Sequence, residues 1–362
     1  MPAFTEQPDS MKKVIFIVAG NKGAEIFDLL APFHVFSAAG SFNVFIVAPQ
    51  KKPLYLWKGL FTLPHLSFRE ASEIKPDLVV IPALLEPKDT QVLHWLREQD
   101  RKGTMFLTIC EGSRVIGEAG MFAGKKITSH ASSIRDQEKK YPGMNWVSNL
   151  RYVEDGRLLS TSGVSSAVEG ALVMVRALAG DTVMEKTKSA VRYPYDTIGS
   201  VYQGKRFGWG DRLTVLKKTM FSSNKHIGVF IHEGIDEMKV GAVLDAYNRT
   251  FPASITTLCR NNQFVRSRYG LLLFPTQVET CLARPDELHI LGSAEEVTTT
   301  DQEFLRQVAA TLKEEKVIYY NNDNYIFDVV LKRIDHQFGN RFTRTVEHLL
   351  DYPSIYNTSL QQ

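Results

Sequence analysis

The sequence predicts an α/β three-layer sandwich with a mainly parallel sheet, present twice in one chain. Three observations lead there. Short, wholly apolar runs alternate with helical periodicity, the pattern of strands buried on both faces and crossed over by helices. The same punctuation of motifs returns about 210 residues later. The length, 362 residues, is enough for about two domains.

The elements follow in order. Val14–Ala19 is an apolar strand and Glu25–Ala39 a helix closed by Gly40. Asn43–Ala48 and Leu78–Ile81 are strands, the latter bounded by Pro76 and Pro82. Thr90–Gln99 reads as a helix, Met105–Ile109 as a strand and Ser113–Ala119 as a helix stopped at Gly120. Lys125–Thr128 and Tyr152–Ser160 read as hairpin strands with Asp155-Gly156 as the turn. Ser165–Ala179 is a helix ending at Gly180. The second half opens likewise, with strand His226–Ile231, helix Gly234–Asn248 and strand Ser254–Leu258.

The repeat can be measured. Gly23–Ala31 aligns with Gly234–Ala242, and Gly59–Pro64 with Gly270–Pro275, both at an offset of 211. Pro76-Asp77 matches Pro285-Asp286 at 209. Gly180 matches Gly339, and Tyr193-Pro194 matches Tyr352-Pro353, at 159. The fall of 50 places a deletion in the second copy, on the segment that in the first carries Met105–Ile109, Cys110 and the following hairpin. The expected domains are 1–198, with the cysteine turn, and 222–362, shortened and without it.

Composition excludes several classes. With 43 Lys and Arg against 40 Asp and Glu, the net charge is +3, and no basic block points to nucleic acid or an anionic membrane. No apolar run reaches the ~20 residues of a membrane span. The Lys12-Lys13 pair before Val14 imitates a signal peptide, but Glu6 and Asp9 precede it, so a buried first strand is the reading. Three cysteines suit a reducing compartment, and a cytoplasmic location is expected.

The chemistry concentrates at Leu107-Thr108-Ile109-Cys110-Glu111-Gly112-Ser113. A buried strand runs into a helix with a nucleophile at the junction, at the carboxyl end of a parallel sheet where ligands bind. The helix N-terminus there favours a thiolate. From the residues alone Cys110 is equally readable as a buried small apolar side chain. His130, after Lys126-Ile127-Thr128-Ser129, reads as an acid–base group or a strand-end cap. Asp28, an acid among apolar residues, reads as a group needing a partner or as a first-turn dipole ligand. Its counterpart at offset 211 is Lys239. Cys259 and Cys281 read as structural. No Cys/His spacing suits zinc and no phosphate-binding loop is present, so neither metal nor cofactor is expected. The run Asn321–Asn324 reads as a loop or cap.

Together these segments resemble the ThiJ/PfpI family, which has the class-I glutamine-amidotransferase-like fold. The carrying motifs are Phe27-Asp28-Leu29-Leu30-Ala31-Pro32, Cys110-Glu111-Gly112-Ser113 with Gly117–Gly120, Thr128-Ser129-His130, and Tyr152–Gly156 leading to Thr161-Ser162-Gly163. The branch most similar holds isonitrile hydratases and the sensor domains of AraC-type regulators, here without their helix-turn-helix. The resemblance implies that Cys110 is an elbow nucleophile, Asp28 the acid beside it, and His130 an assisting group. A charged Asp28 would oppose the thiolate and a protonated one would support it. Backbone N–H groups of Ala83, Leu84 and Glu111 are the expected oxyanion donors. The sequence departs from the family where a glycine pair gives way to Ala83-Leu84, and where Glu111 replaces a small residue or His.

The implied function is a Cys-dependent hydratase, hydrolase or glyoxalase-like enzyme acting on a small electrophile. The alternatives are a non-enzymatic ligand or redox sensor using the same cysteine, and a scaffold that has lost catalysis. The expected partner is a small molecule. The chain is expected to be a monomer in which the repeats imitate a dimer, or a homodimer.

Overall fold

A computed structural model describes residues 9–196, 198, 199, 202, 204–221, 225–260, 263–276, 285–292, 297, 299–310, 312, 316–320 and 324–355. The chain begins with β1 (Lys13–Val18), β2 (Ala24–Glu25), α1 (Ile26–Ala38), β3 (Phe42–Ala48), β4 (Leu54–Trp57), β5 (Leu60–Thr62), β6 (Leu66–Ser67) and α2 (Phe68–Ala71). It continues through β7 (Leu78–Ile81), α3 (Thr90–Arg101), β8 (Met105–Thr108), α4 (Gly112–Ala119), β9 (Lys126–Ile127), α5 (Ile134–Lys140) and β10 (Asn145–Trp146). The hairpin β11 (Tyr152–Asp155) and β12 (Leu158–Thr161) leads to α6 (Ala167–Ala179), α7 (Asp181–Ala190) and α8 (Trp209–Phe221). The second half holds β13 (His226–Phe230), α9 (Glu237–Asn248), β14 (Ser254–Leu258), β15 (Val265–Arg266), β16 (Leu272–Pro275), β17 (Glu287–Ile290), α10 (Thr299–Ala309), β18 (Val317–Tyr319), α11 (Ile326–Phe338) and α12 (Asn340–Leu350).

The main sheet has seven strands in the order β11-β12-β8-β7-β1-β3-β6, parallel except for β11. Its central strands are buried on both faces, which is why they read as unbroken apolar runs. A second, four-stranded parallel sheet runs β14-β13-β17-β18. A third sheet, β15-β16-β5-β4-β2, joins the halves: β16 lies antiparallel to β5, with Leu273 opposite Thr62 and Pro275 opposite Leu60.

Two expectations need correction. Lys125–Thr128 is not a hairpin partner: β9 pairs in parallel with β10 in a small separate sheet, and Asp155-Gly156 turns the β11–β12 hairpin alone. Nor is the strand before the cysteine turn lost from the second half. β18 stands beside β17 as β8 stands beside β7. What has no counterpart among the described residues is the segment beyond it: β18 ends at Tyr319 and α11 begins at Ile326.

The measured offsets carry element onto element. An offset of 211 brings α1 onto α9, 209 brings α3 onto α10, and 159 brings α6 and α7 onto α11 and α12. Local details coincide too. Asp77 accepts from Val14 N–H (2.8 Å) and returns its own N–H to Val14 O; Asp286 does the same with His226. Glu25 caps α1 by accepting from Asp28 N–H (2.7 Å), and Asp236 caps α9 by accepting from Lys239 N–H (2.9 Å).

The halves share one apolar core that runs from Ile15 to Tyr352. At its centre α1 packs against both α6 and α9. Ile26 through Phe36 are all buried, so this helix is enclosed on every face. Gly241 lets the two backbones approach, since a Cβ there would lie 3.3 Å from the Phe27 ring. Phe27 in turn meets Phe327 of α11 at 4.5 Å between ring centroids. Among the described residues no helix is long and apolar enough to cross a membrane. Phe27→Ala is expected to cost about 3–5 kcal/mol in urea unfolding, with both halves unfolding together; a loss below about 1 kcal/mol would mean that this contact is not a packed core.

Candidate functional site

The cysteine turn is built by close packing. Ile109 still pairs with β7, its N–H reaching Ile81 O at 3.0 Å. Cys110 then takes φ 54°, the left-handed region that non-glycine residues adopt only at a cost. Gly112 opens α4 against the end of β7, where a Cβ would fall 2.0 Å from Ile81 O. The strand therefore turns sharply and Cys110 stands at the carboxyl edge of the sheet. Its carbonyl is held by the Ser129 hydroxyl (3.1 Å), which accepts from Gln137 Nε2 (2.8 Å). Ser113 Oγ lies 3.2 Å from the same carbonyl. Sequence reasoning missed Ser129 and Gln137 as supports, because only the fold brings α5 behind the turn.

Three acids surround the sulfur. Burial pushes the Cys110 thiol well above its ordinary range, and the charges of Asp28, Glu111 and Glu25 push the same way. The Glu111 N–H, which donates to the sulfur, opposes them. Against the expectation of a favoured thiolate at the start of α4, desolvation and three neighbouring acids push the thiol up. Glu111 is partly exposed and lies 3.9 Å from Arg114, so its charge is screened more than that of Asp28.

Asp28 is fully buried. Its Oδ2 accepts from Ala83 N–H at 3.1 Å, and its Oδ1 has no hydrogen-bond partner. Burial first, and Glu25 second, raise its carboxyl well above the usual range. Glu25 is raised by burial and shares a side-chain hydrogen bond with Asp28. Burial and Glu25 therefore push Asp28 toward its neutral form, which opposes a thiolate less than its charged form does.

The oxyanion expectation changes accordingly. The Ala83 N–H is taken by Asp28, so it is not available as a donor. Leu84 lies opposite Ala24 in a bridge whose hydrogen bonds are made by Ala83 O and Leu85 N–H. The Glu111 N–H faces the sulfur.

His130 is close to the second half and not bonded to Cys110 among the described residues. Its Nε2 donates to Leu349 O (3.2 Å) and its Nδ1 accepts from Ser132 N–H (3.1 Å), so both ring nitrogens are engaged. Leu349 O also accepts from Arg249 Nε (3.2 Å). Arg249, at the end of α9, is the residue that sequence reasoning missed. It is ion-paired with Asp245, and its charge acts on Glu25, Cys110 and Asp28. No local motif marks it: only the packing of α9 on α1 carries it to the cysteine. Cys259 is buried, while Cys281 and Asn321–Asp323 lie outside the described residues. Among the described residues no group of His, Cys, Asp and Glu could hold a metal ion.

Residues 12–177 match the model of the DJ-1/PfpI family. An isonitrile hydratase of Pseudomonas putida is 25% identical over 181 residues, 47% of this chain and 76% of that one. A deglycase PfpI of Pyrococcus furiosus is 26% identical over 153 residues, 41% of this chain and 89% of that one. The crystal structure of Drosophila melanogaster DJ-1beta covers 50% of this chain and 98% of its own, at 24% identity and a TM-score of 0.46.

Two outcomes follow from the electrostatics. Alkylation of Cys110 by iodoacetamide, followed against pH by peptide mass spectrometry, is expected to show an apparent pKa above the ~8.5 of a free thiol. Glu111→Gln should speed labelling at fixed pH and Arg249→Gln should slow it, each by a factor between about 2 and 10. Asp28→Asn keeps the acceptor for Ala83 N–H and removes a carboxyl whose folded pKa is raised. The wild type loses stability as pH climbs above the unfolded value of about 4. The variant should therefore be more stable at pH 7, with the difference vanishing below about pH 4; equal midpoints at pH 7 would contradict a neutral Asp28.

Proposed function

Residues 12–177 are a DJ-1/PfpI family domain, and from that premise we propose that the protein adds water to a small, neutral electrophile through Cys110. What supports this reading is the fully buried Asp28 carboxyl, its Oδ2 on Ala83 N–H and its Oδ1 unpartnered, close enough to the Cys110 turn that burial and neighbouring charge push both groups toward their neutral forms. Two neutral groups, one a nucleophile and one an acid, suit a substrate that must gain both a bond and a proton. The sulfur attacks the electrophilic carbon, and the S–H proton passes to the carboxyl pair of Asp28 and Glu25. Asp28 delivers its own proton to the atom on which charge develops. The Glu111 N–H supports that charge. Water then displaces the sulfur and the thiol is restored, so the net change is one water added. At the edge of the site His130 of the first half meets Leu349 O and Arg249 of the second. The buried thiol admits a small substrate. Isonitriles and α-oxoaldehydes are the classes to screen, by analogy with the hydratase and deglycase relatives.

The test is turnover by the purified chain. Cys110→Ala should abolish it, and Asp28→Asn should lower kcat by about 10²–10⁴. Turnover that survives Cys110→Ala would overturn the reading. A second reading rests on the raised thiol and the occupied Ala83 N–H: a ligand or redox sensor without catalysis. A ligand that protects Cys110 from alkylation without being consumed would favour it.

We also read the domains as 1–198 and 222–362, the second a shortened copy of the first. The shared Asp77 and Asp286 clamps, the paired caps and the matching order of β3-β1-β7-β8 and β14-β13-β17-β18 support this. The second copy then covers the first as a partner subunit would, and the chain is a cytoplasmic monomer. Sedimentation should give 40.9 kDa; twice that mass would count against it.

A further inference from the structure

Helix α8 leaves an unusual face open. Trp209, Leu213, Leu216 and Met220 are 78, 52, 52 and 66% exposed. Half of the large exposed apolar side chains among the described residues stand on this one helix. Their spacing of four, three and four residues follows the alternation of the two apolar positions in a heptad, the pattern of a coiled-coil seam. At 100° per residue they fall within about 60° of one another, along about 17 Å of helix.

The opposite face is already committed. Asp211 accepts from Thr345 Oγ1 (2.9 Å) and His348 Nδ1 (3.0 Å) of α12, and Lys218 Nζ donates to Phe251 O (2.8 Å). α8 is thus anchored by polar contacts on one side and presents the apolar seam on the other. Arg212 and Lys217 are exposed and flank the seam on its two sides, with the Arg212 guanidinium 5.2 Å from the Trp209 ring centroid. The one acid on the helix, Asp211, is turned inward.

Three occupants can be weighed. A second copy of the chain would bring Arg212 and Lys217 against Arg212 and Lys217 in either helix orientation, and like charges at these flanks oppose pairing. A lipid surface is met by a wide apolar face, whereas this stripe is as narrow as a coiled-coil seam. A helix with an apolar seam and acidic flanks satisfies both the width and the charge. We propose that α8 is the docking surface for an acidic amphipathic helix of a partner protein. The surface is separate from the Cys110 site, so the chain would couple a ligand- or substrate-handling domain to a second protein.

The probe is a fluorescein-labelled synthetic helix of four heptads with Leu at a and d and Glu at e and g. Its twin carries Lys at e and g. Anisotropy with the full-length protein is expected to show saturable binding of the Glu peptide, about tenfold tighter than that of the Lys peptide. Leu213→Asp with Leu216→Asp should abolish binding at an unchanged melting temperature, since both side chains are exposed. Arg212→Glu with Lys217→Glu should reverse the preference between the two peptides. The proposal is overturned if neither peptide binds, or if both bind equally. It is also overturned if the protein sediments with phosphatidylserine-containing vesicles while ignoring the peptides, or if a dimer forms that Leu213→Asp dissolves.

Discussion

The enclosure of α1 on every side is the constraint from which the rest of the molecule follows. A helix with a single apolar stripe needs one partner, but α1 is apolar all round and must be buried all round. The main sheet and α6 cover part of it, and the second half, through α9, covers the remainder. Gly241 sets how closely the two helices approach. The same helix begins at the Glu25 cap and carries Asp28 in its first turn. Covering α1 therefore also determines what surrounds the cysteine.

The site that results is acidic and dry. Glu25, Asp28 and Glu111 all act against ionisation of Cys110, and desolvation adds to them. Two buried carboxylates side by side are costly when both are charged, and burial pushes Glu25 and Asp28 upward together. Arg249 supplies the compensating positive charge from the other half.

The second half also closes the site from the side of α12. Leu349 O receives both His130 and Arg249. Two residues on, Asp351 stands in the left-handed region, and its carbonyl accepts from Arg151 (2.8 Å) and from Ser165 (2.8 Å). Arg151 is ion-paired with Glu169, and Gly163 leaves room for Asp351, whose Cβ would lie 2.1 Å from a Cβ there. The end of α12 is thus seated in a polar socket of the first half, where the buried Arg151 is paired with Glu169.

Much of this was legible in the residues. Unbroken apolar runs identified the parallel strands because burial on both faces removes any need for polar positions. Glycines and prolines marked where elements stop, and the offsets 211, 209 and 159 set the correspondence of helices between the halves. The turn at Cys110 and the proximity of Asp28 followed from local pattern and resemblance. The partner of β9, the retained strand β18, the loss of the Ala83 donor, the engagement of His130 with Leu349 and the arrival of Arg249 were not legible. Each is a contact between segments far apart in the chain, and no local signal encodes such a meeting. Side-chain type determined by itself that Cys110, Asp28 and Glu111 could do chemistry. Only the tertiary structure decided the upward push on the Cys110 thiol and the Asp28 carboxyl, because desolvation and the charge of Arg249 depend on what is packed around them.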